Sequence, residues 1–185
     1  MAWQLMALKS AQFSRVYVPP QVFDGVDRFL ASTSARRGAR YSYLPGTAVS
    51  QSMTSAGLLC RMYLNWKDDN GGLQAGVRYL DERGPEKGNM YSNFYATQVM
   101  YHWGGPEWER WNEQMREQLV SSQILAGHAK GSWNVTDPFG DAGGRLYMTT
   151  LALMTLEVYY RHLPLNQQDH INHPLRAKPN NRAVQ

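Results

Sequence analysis

Residues 53–66, MTSAGLLCRMYLNW, decide the fold. Arg61 is the only formally charged residue in the stretch, and apolar side chains fall on every face of a helix wound at 3.6 residues per turn. A helix tolerates that only when covered on most sides, so the stretch predicts an inner helix. The apolar residues that follow, Leu73, Val77 and Leu80, keep steps of three and four on an otherwise polar segment, which predicts an outer helix with one buried stripe. The same contrast continues in both directions. Residues 3–13, 94–103 and 146–160 are apolar nearly all round. Val22, Val26, Phe29 and Leu30, and then Trp108, Trp111, Met115 and Leu119, form single stripes, the latter backed by Glu107, Glu109, Arg110, Glu113, Arg116 and Glu117. Strand-like alternation is scarce and helical periodicity recurs seven times, so an all-α chain is expected. In chain order the classes read inner, outer, inner, outer, inner, outer, inner. Pro19-Pro20, Pro106, Gly104-Gly105, Gly143-Gly144 and Pro164 punctuate the segments.

The 185 residues, 43% of them apolar, suit one domain that buries roughly two-thirds of its unfolded surface. A single cysteine excludes an intrachain disulfide and a multi-cysteine zinc module. Of the net charge of +4, Arg176, Lys178 and Arg182 against Asp169 place +2 in residues 165–185. That segment lacks periodicity and interleaved aromatics, so it reads as a polar, disordered tail, and no nucleic-acid partner is expected. No apolar run is long enough for a transmembrane segment, and no secretory signal is visible. The location is not read from the sequence; a cytoplasmic or membrane-peripheral one is the expectation.

The hairpins repeat. Outer helices end in an aromatic or apolar pair and lead to a glycine with an aromatic two or three residues on: Phe29-Leu30 to Gly38 and Tyr41, Tyr79-Leu80 to Gly88 and Tyr91, Leu119-Val120 to Gly131 and Trp133. Successive copies lie 50 and 40 positions apart (Leu30 to Leu80, Leu80 to Val120), a period typical of helical-hairpin arrays. Gln123, Gly131 and Trp133, GGRLYMTTLALMTLEVYYRHLP (143–164) and WQLMALKSAQ (3–12) resemble the QW-type repeat of the squalene-cyclase and prenyltransferase family. The resemblance covers residues 3–164 and implies one α/α-toroid repeat domain over 1–164: an incomplete (α/α)6 barrel of about three and a half hairpins around a central cavity. At about 45 residues per hairpin a closed ring of six needs on the order of 270 residues, so an arc truncated at both ends is expected. Trp3 and Tyr159 should then be more exposed than Met62 or Val99.

The chemistry of that family is not matched. Its cyclases place their acid in an Asp-x-Asp-Asp cluster, whereas Asp68-Asp69 in WKDDN lacks the pattern and reads as a solvated turn. Asp137 and Asp141 in TDPFGDAGG precede an inner helix, with Asp141 read as a cap or first-turn acid. Cys60 lies mid-helix without a partner at metal-ligand spacing, so it reads as a buried hydrophobe. His102 and His128 are not placed to be ligands. No catalytic residue, metal site or cofactor is assigned.

What remains is an aromatic lining. Tyr41, Tyr43, Tyr91, Phe94, Tyr95, Trp133 and Tyr147 cluster at or before the starts of inner helices. They form either the wall of a pocket for an isoprenoid or other lipid, or filling for the core. The expected function is a non-catalytic repeat domain binding an apolar ligand or, on its open ends, a protein partner or missing repeats. The alternatives are a terpene-cyclase fragment whose acid lies outside the chain, and a carbohydrate-active (α/α)6 enzyme, which needs two facing carboxylates. A buried charge is costly unless paired, so Arg61 or Lys9 is expected to pair with Glu157, or the three to cluster where the inner helices end.

Overall fold

A computed structural model describes residues 1–137 and 139–158. Seven α-helices appear among them: α1 (Ala2–Phe13), α2 (Pro20–Thr33), α3 (Gln51–Tyr63), α4 (Gly71–Arg83), α5 (Met90–Trp103), α6 (Gly105–Ser122) and α7 (Gly140–Leu156). The expectation of an all-α chain holds in its coarser form: the described residues are mostly helical, with a small sheet added between α2 and α3. There, β1 (Ser34–Ala35), β2 (Arg40–Ser42) and β3 (Val49–Ser50) form an antiparallel sheet, pairing Ser34 with Tyr41 and Ser42 with Val49. Strands this short fall below any window in which alternation can be counted.

Helix starts follow the side chains available. Ser50 accepts from Met53 N, Asn70 from Gly72 N and Leu73 N, and Asn89 from Ser92 N, which satisfies otherwise orphaned amides. The Asn89 cap starts α5 before the apolar run, so Tyr91 belongs to its first turn rather than to a loop like those of Tyr41 and Trp133. Asp141 is a first-turn acid of α7, and Gly144 (φ 64°) kinks that helix near its start.

The inner helices pack in chain order, α1 on α3, α3 on α5 and α5 on α7, with α4 on α6 outside them. The middle pair is buried almost completely, from Thr54 to Tyr63 in α3 and from Ser92 to Met100 in α5. The outer stripes of α4 and α6 are buried at Leu73, Val77, Leu80, Trp111, Met115 and Leu119. On α2 only Leu30 of the expected stripe is buried, and Val22 and Phe29 are exposed. A second correction concerns α1 and α7. Neither is covered on most sides: α1 buries only Ala2 and Leu5, and Leu146 and Leu153 of α7 are exposed. Among the described residues each packs chiefly on one inner helix, α1 on α3 and α7 on α5, which leaves part of its apolar surface exposed. Trp3 is 43% exposed against 7% for Met62 and 0% for Val99, as expected; Tyr159 and the tail 165–185 lie outside the described residues.

Two of the hairpin copies share an internal bond. Tyr41 N donates to Thr54 Oγ1 (3.1 Å) and Trp133 N donates to Thr149 Oγ1 (3.3 Å), so in two of the three expected copies the loop aromatic is tied to a threonine early in the next inner helix; in the third, Tyr91 N donates to Asp137 instead. Arg61 does not reach Glu157. It pairs with Asp27 of α2, its Nε donates to the Tyr41 hydroxyl at 3.1 Å, and its guanidinium lies 4.7 Å from the Trp66 ring. Proximity decides this: α2 and β2 pack on α3, and Asp27 is the carboxylate they bring to it.

Burial also fixes two titrating groups. The Cys60 thiol and the Tyr63 hydroxyl are each pushed up to about 12 by burial, from ordinary values of 9.0 and 10.0. The folded state then holds protons that the unfolded chain releases. Stability is therefore complete below about pH 9 and falls as the pH rises toward 12, at about 1.4 kcal/mol per unit of difference for each group. Urea midpoints measured from pH 7 to 11 should be flat to about pH 9 and then decline, and the thiol should resist a disulfide reagent until the chain unfolds.

Candidate functional site

At the N-terminal ends of the inner helices lies a cavity of about 210 Å³. Met1 and Ala2 of the first turn, Phe29, Leu30 and Thr33 of α2, the β2 segment 41–44, the first turns of α3 and Tyr91 of α5 enclose it. Its wall is mainly apolar and aromatic, its polar side chains carry hydroxyls, and Met1 brings the N-terminal amino group to it; among the described residues it has no carboxylate, imidazole, thiol or cationic side chain.

Three of the seven expected lining residues, Tyr41, Tyr43 and Tyr91, are in this wall. Tyr41 is 1% exposed and its ring lies flat on Gly57: a Cβ there would fall 2.4 Å from the ring's Cγ. Its hydroxyl and backbone amide are held by Arg61 and Thr54, so this wall is rigid. Tyr43, 71% exposed, forms the rim. Tyr91 meets Tyr95 edge-on with ring centroids 4.9 Å apart.

The other four do not line the cavity. Phe94 and Tyr95 are fully buried behind Tyr91, where Trp3 stacks on Phe94 at 5.2 Å and meets Tyr95 edge-on. They fill core. Trp133 is buried against α6, its Nε1 donating to Leu119 O at 2.8 Å. Tyr147 lies beside Tyr91 and Asp137; burial first, then those two neighbours, push its hydroxyl up to about 12, so it stays protonated at neutral pH. Burial pushes Tyr95 up as well. The spacing of aromatics reveals which ones precede an inner helix, but not which way each faces.

Asp137 has a role that the motif search did not give it. It is 3% exposed, Oδ1 accepts from Phe139 N (2.7 Å) and Oδ2 from Tyr91 N (3.3 Å). It joins the start of α5 to the approach to α7, a capping role for which both oxygens are used. Asp68 and Asp69 are exposed in the turn before α4. Asp68 borders a second, smaller cavity of about 110 Å³ with Met62, Trp66, Leu73, His102 and Trp103, at the opposite ends of α3 and α5. Among the described residues no group of three or more His, Cys, Asp or Glu is placed to hold a metal ion, and no helix is long and apolar enough to cross a membrane.

Lining residues outside the expected set include Met53, Ala56 and Gly57 of α3 and Phe29 of α2, the last read from the sequence only as part of an outer stripe. Gly57 did carry a signal. A glycine inside an otherwise strong inner helix weakens it, and close approach of another group is the usual reason. Comparison with protein-family models, with curated proteins and with solved structures returns no match.

Proposed function

We propose that the chain is a squalene-cyclase-type hairpin array, an arc of an α/α toroid, that binds one apolar isoprenoid-like chain without turning it over. The observation that carries this reading is the wall of the 210 Å³ cavity: aromatic and aliphatic surface, with hydroxyls as its only polar side chains. Such a wall rewards burial of an apolar chain and offers no side chain to protonate an alkene or activate water. The volume is below the range of pockets for drug-sized ligands, which suits one slender chain rather than a polycyclic product. The array reading is supported by the ordered packing of α1, α3, α5 and α7, by the shared bond to Thr54 and Thr149, and by Trp3 reaching from the first inner helix to the third, which needs a curved row.

The cyclase alternative would need an acid, and the buried Asp137 has both oxygens occupied by backbone amides. The carbohydrate alternative would need two facing carboxylates, and this cavity has none. A second reading, a protein partner or further repeats on the open ends, is favoured by the exposure of Leu146 (79%) and Leu153 (45%) on α7.

Calorimetric titration with farnesol tests the binding reading. Wild type should bind, and Ala56→Leu, which grows into the cavity, should bind at least tenfold more weakly with the fold intact, about 1.4 kcal/mol. Incubation with squalene should return it unchanged; a cyclised product would replace the binding reading with the enzymatic one.

A further inference from the structure

The turn between β1 and β2 follows a left-handed path through three consecutive residues, Arg36 (φ 50°), Arg37 (φ 59°) and Gly38 (φ 85°). Packing explains the path. A Cβ on Gly38 would lie 2.5 Å from Trp66 Cη2, and the Arg37 carbonyl oxygen lies 2.4 Å from where a Cβ on Gly72 would be, so the turn is wedged against Trp66 and the start of α4. Packing does not explain why arginine stands at 36 and 37. Both are exposed, and glycine or asparagine takes this conformation at lower cost.

Two further arginines lie nearby, Arg40 just after the turn, where Arg36 acts on it, and Arg83 at the end of α4. Arg40 and Arg83 each lie against the Tyr79 ring, at 3.5 and 5.2 Å from its centroid. Glu82 is the one carboxylate among the groups acting on Arg40, whose proton affinity is lowered by burial first and by Arg36 and Arg83, against Tyr79 and Glu82, which raise it. Among the described residues none of the four makes an ion pair. Arg40 Nη1 donates to the carbonyls of Ala39 and Ala75 and Arg83 Nε to Gln51 Oε1, while Arg36 and Arg37 stand exposed at a conformational cost. Guanidinium donors not taken up by an ion pair match the forked geometry by which arginine binds phosphate. The other end of β2 leads to Tyr43 and Leu44, exposed at the cavity rim, and Val49, paired with Ser42, is exposed on the neighbouring strand. Cationic groups beside a tyrosine and aliphatic side chains fit a bilayer surface, where headgroup phosphates lie next to acyl chains. Exposed Leu44 and Val49 beside Tyr43 favour acyl chains over nucleic acid, whose bases would use the aromatic alone.

We propose that Arg36, Arg37, Arg40 and Arg83 dock the phosphates of an anionic lipid surface, with Tyr43 and Leu44 entering the interface beside them. This goes beyond ligand binding in the cavity and does not depend on it.

Sedimentation with phosphatidylcholine vesicles, with and without about one-third phosphatidylglycerol, tests it. The full chain should bind only the anionic vesicles. Arg36→Gly combined with Arg37→Asn should weaken that binding about 30-fold, about fivefold per arginine, while the melting temperature stays equal or rises because the strain is relieved. Arg116→Gln with Lys130→Gln, the same change of charge elsewhere, should retain binding. Four results would overturn the proposal: no preference for anionic vesicles, equal losses in the two double variants, a lower melting temperature in the Arg36/Arg37 variant, or tighter arginine-dependent binding to RNA than to vesicles. Displacement from vesicles by millimolar inorganic phosphate would instead assign the cluster to a free phosphate and overturn the membrane assignment.

Discussion

Arg61→Ala is expected to destabilise the protein by about 3–4 kcal/mol, a loss of roughly 10 °C in Tm for a chain of this size. The Arg61 side chain is 6% exposed, and three groups depend on it: Asp27 on α2, the Tyr41 hydroxyl on β2, and the Trp66 ring after α3. Truncation leaves the Tyr41 hydroxyl without its donor and opens a void between three elements. The effect should be asymmetric. The Asp27 side chain is 56% exposed, so water reaches that end of the pair, and Asp27→Ala should cost only about 1–2 kcal/mol. Arg61→Met, which restores volume without charge, should recover much of the loss. Urea denaturation of the three variants checks the order. An Arg61→Ala loss under about 1 kcal/mol would mean that the node carries little.

Gly57→Val is the second large effect, about 2–4 kcal/mol, near the upper end of what overpacking costs. A Cβ at position 57 meets Cγ, Cδ1 and Cδ2 of Tyr41 within 2.8 Å, and the ring cannot retreat because Arg61 and Thr54 hold both of its ends. Tyr41→Ala should reverse the sign at this position. In that background Gly57→Ala meets no ring, and the helical preference for alanine should make it stabilising by up to about 1 kcal/mol. A double-mutant cycle by urea denaturation reads the coupling directly. Equal effects of Gly57→Ala with and without Tyr41 would contradict the stacked geometry.

The helical skeleton was legible because apolar periodicity reports burial. Residues 53–66 and 94–103 have few polar positions, and α3 and α5 are the buried centre. Periodicity does not report neighbours. Residues 3–13 are as apolar as residues 53–66, yet α1 stands half exposed, because whether a second helix covers it is a property of the array and not of its own side chains. The cavity was legible to the same degree. Tyr41, Tyr43 and Tyr91 could be found from their place before or at an inner helix, whereas Phe94, Tyr95 and Trp133 share that place and face inward or elsewhere. Only rotation about the helix axis separates Tyr91 from Phe94 and Tyr95. The partner of Arg61 was illegible for a related reason: Asp27 is 34 residues away on a solvent-facing helix, and only the docking of α2 brings it near.

The cavity claim is tested most directly by following methionine methyl resonances while farnesol is titrated into the protein. Met53 and Met1 line the cavity, Met62 borders the second one, and Met100 and Met115 are buried elsewhere. The Met53 and Met1 signals should shift in a saturable way while those of Met62, Met100 and Met115 stay in place. Saturable shifts at Met62 with Met53 unmoved, or no saturable shift at any methionine, would contradict the account.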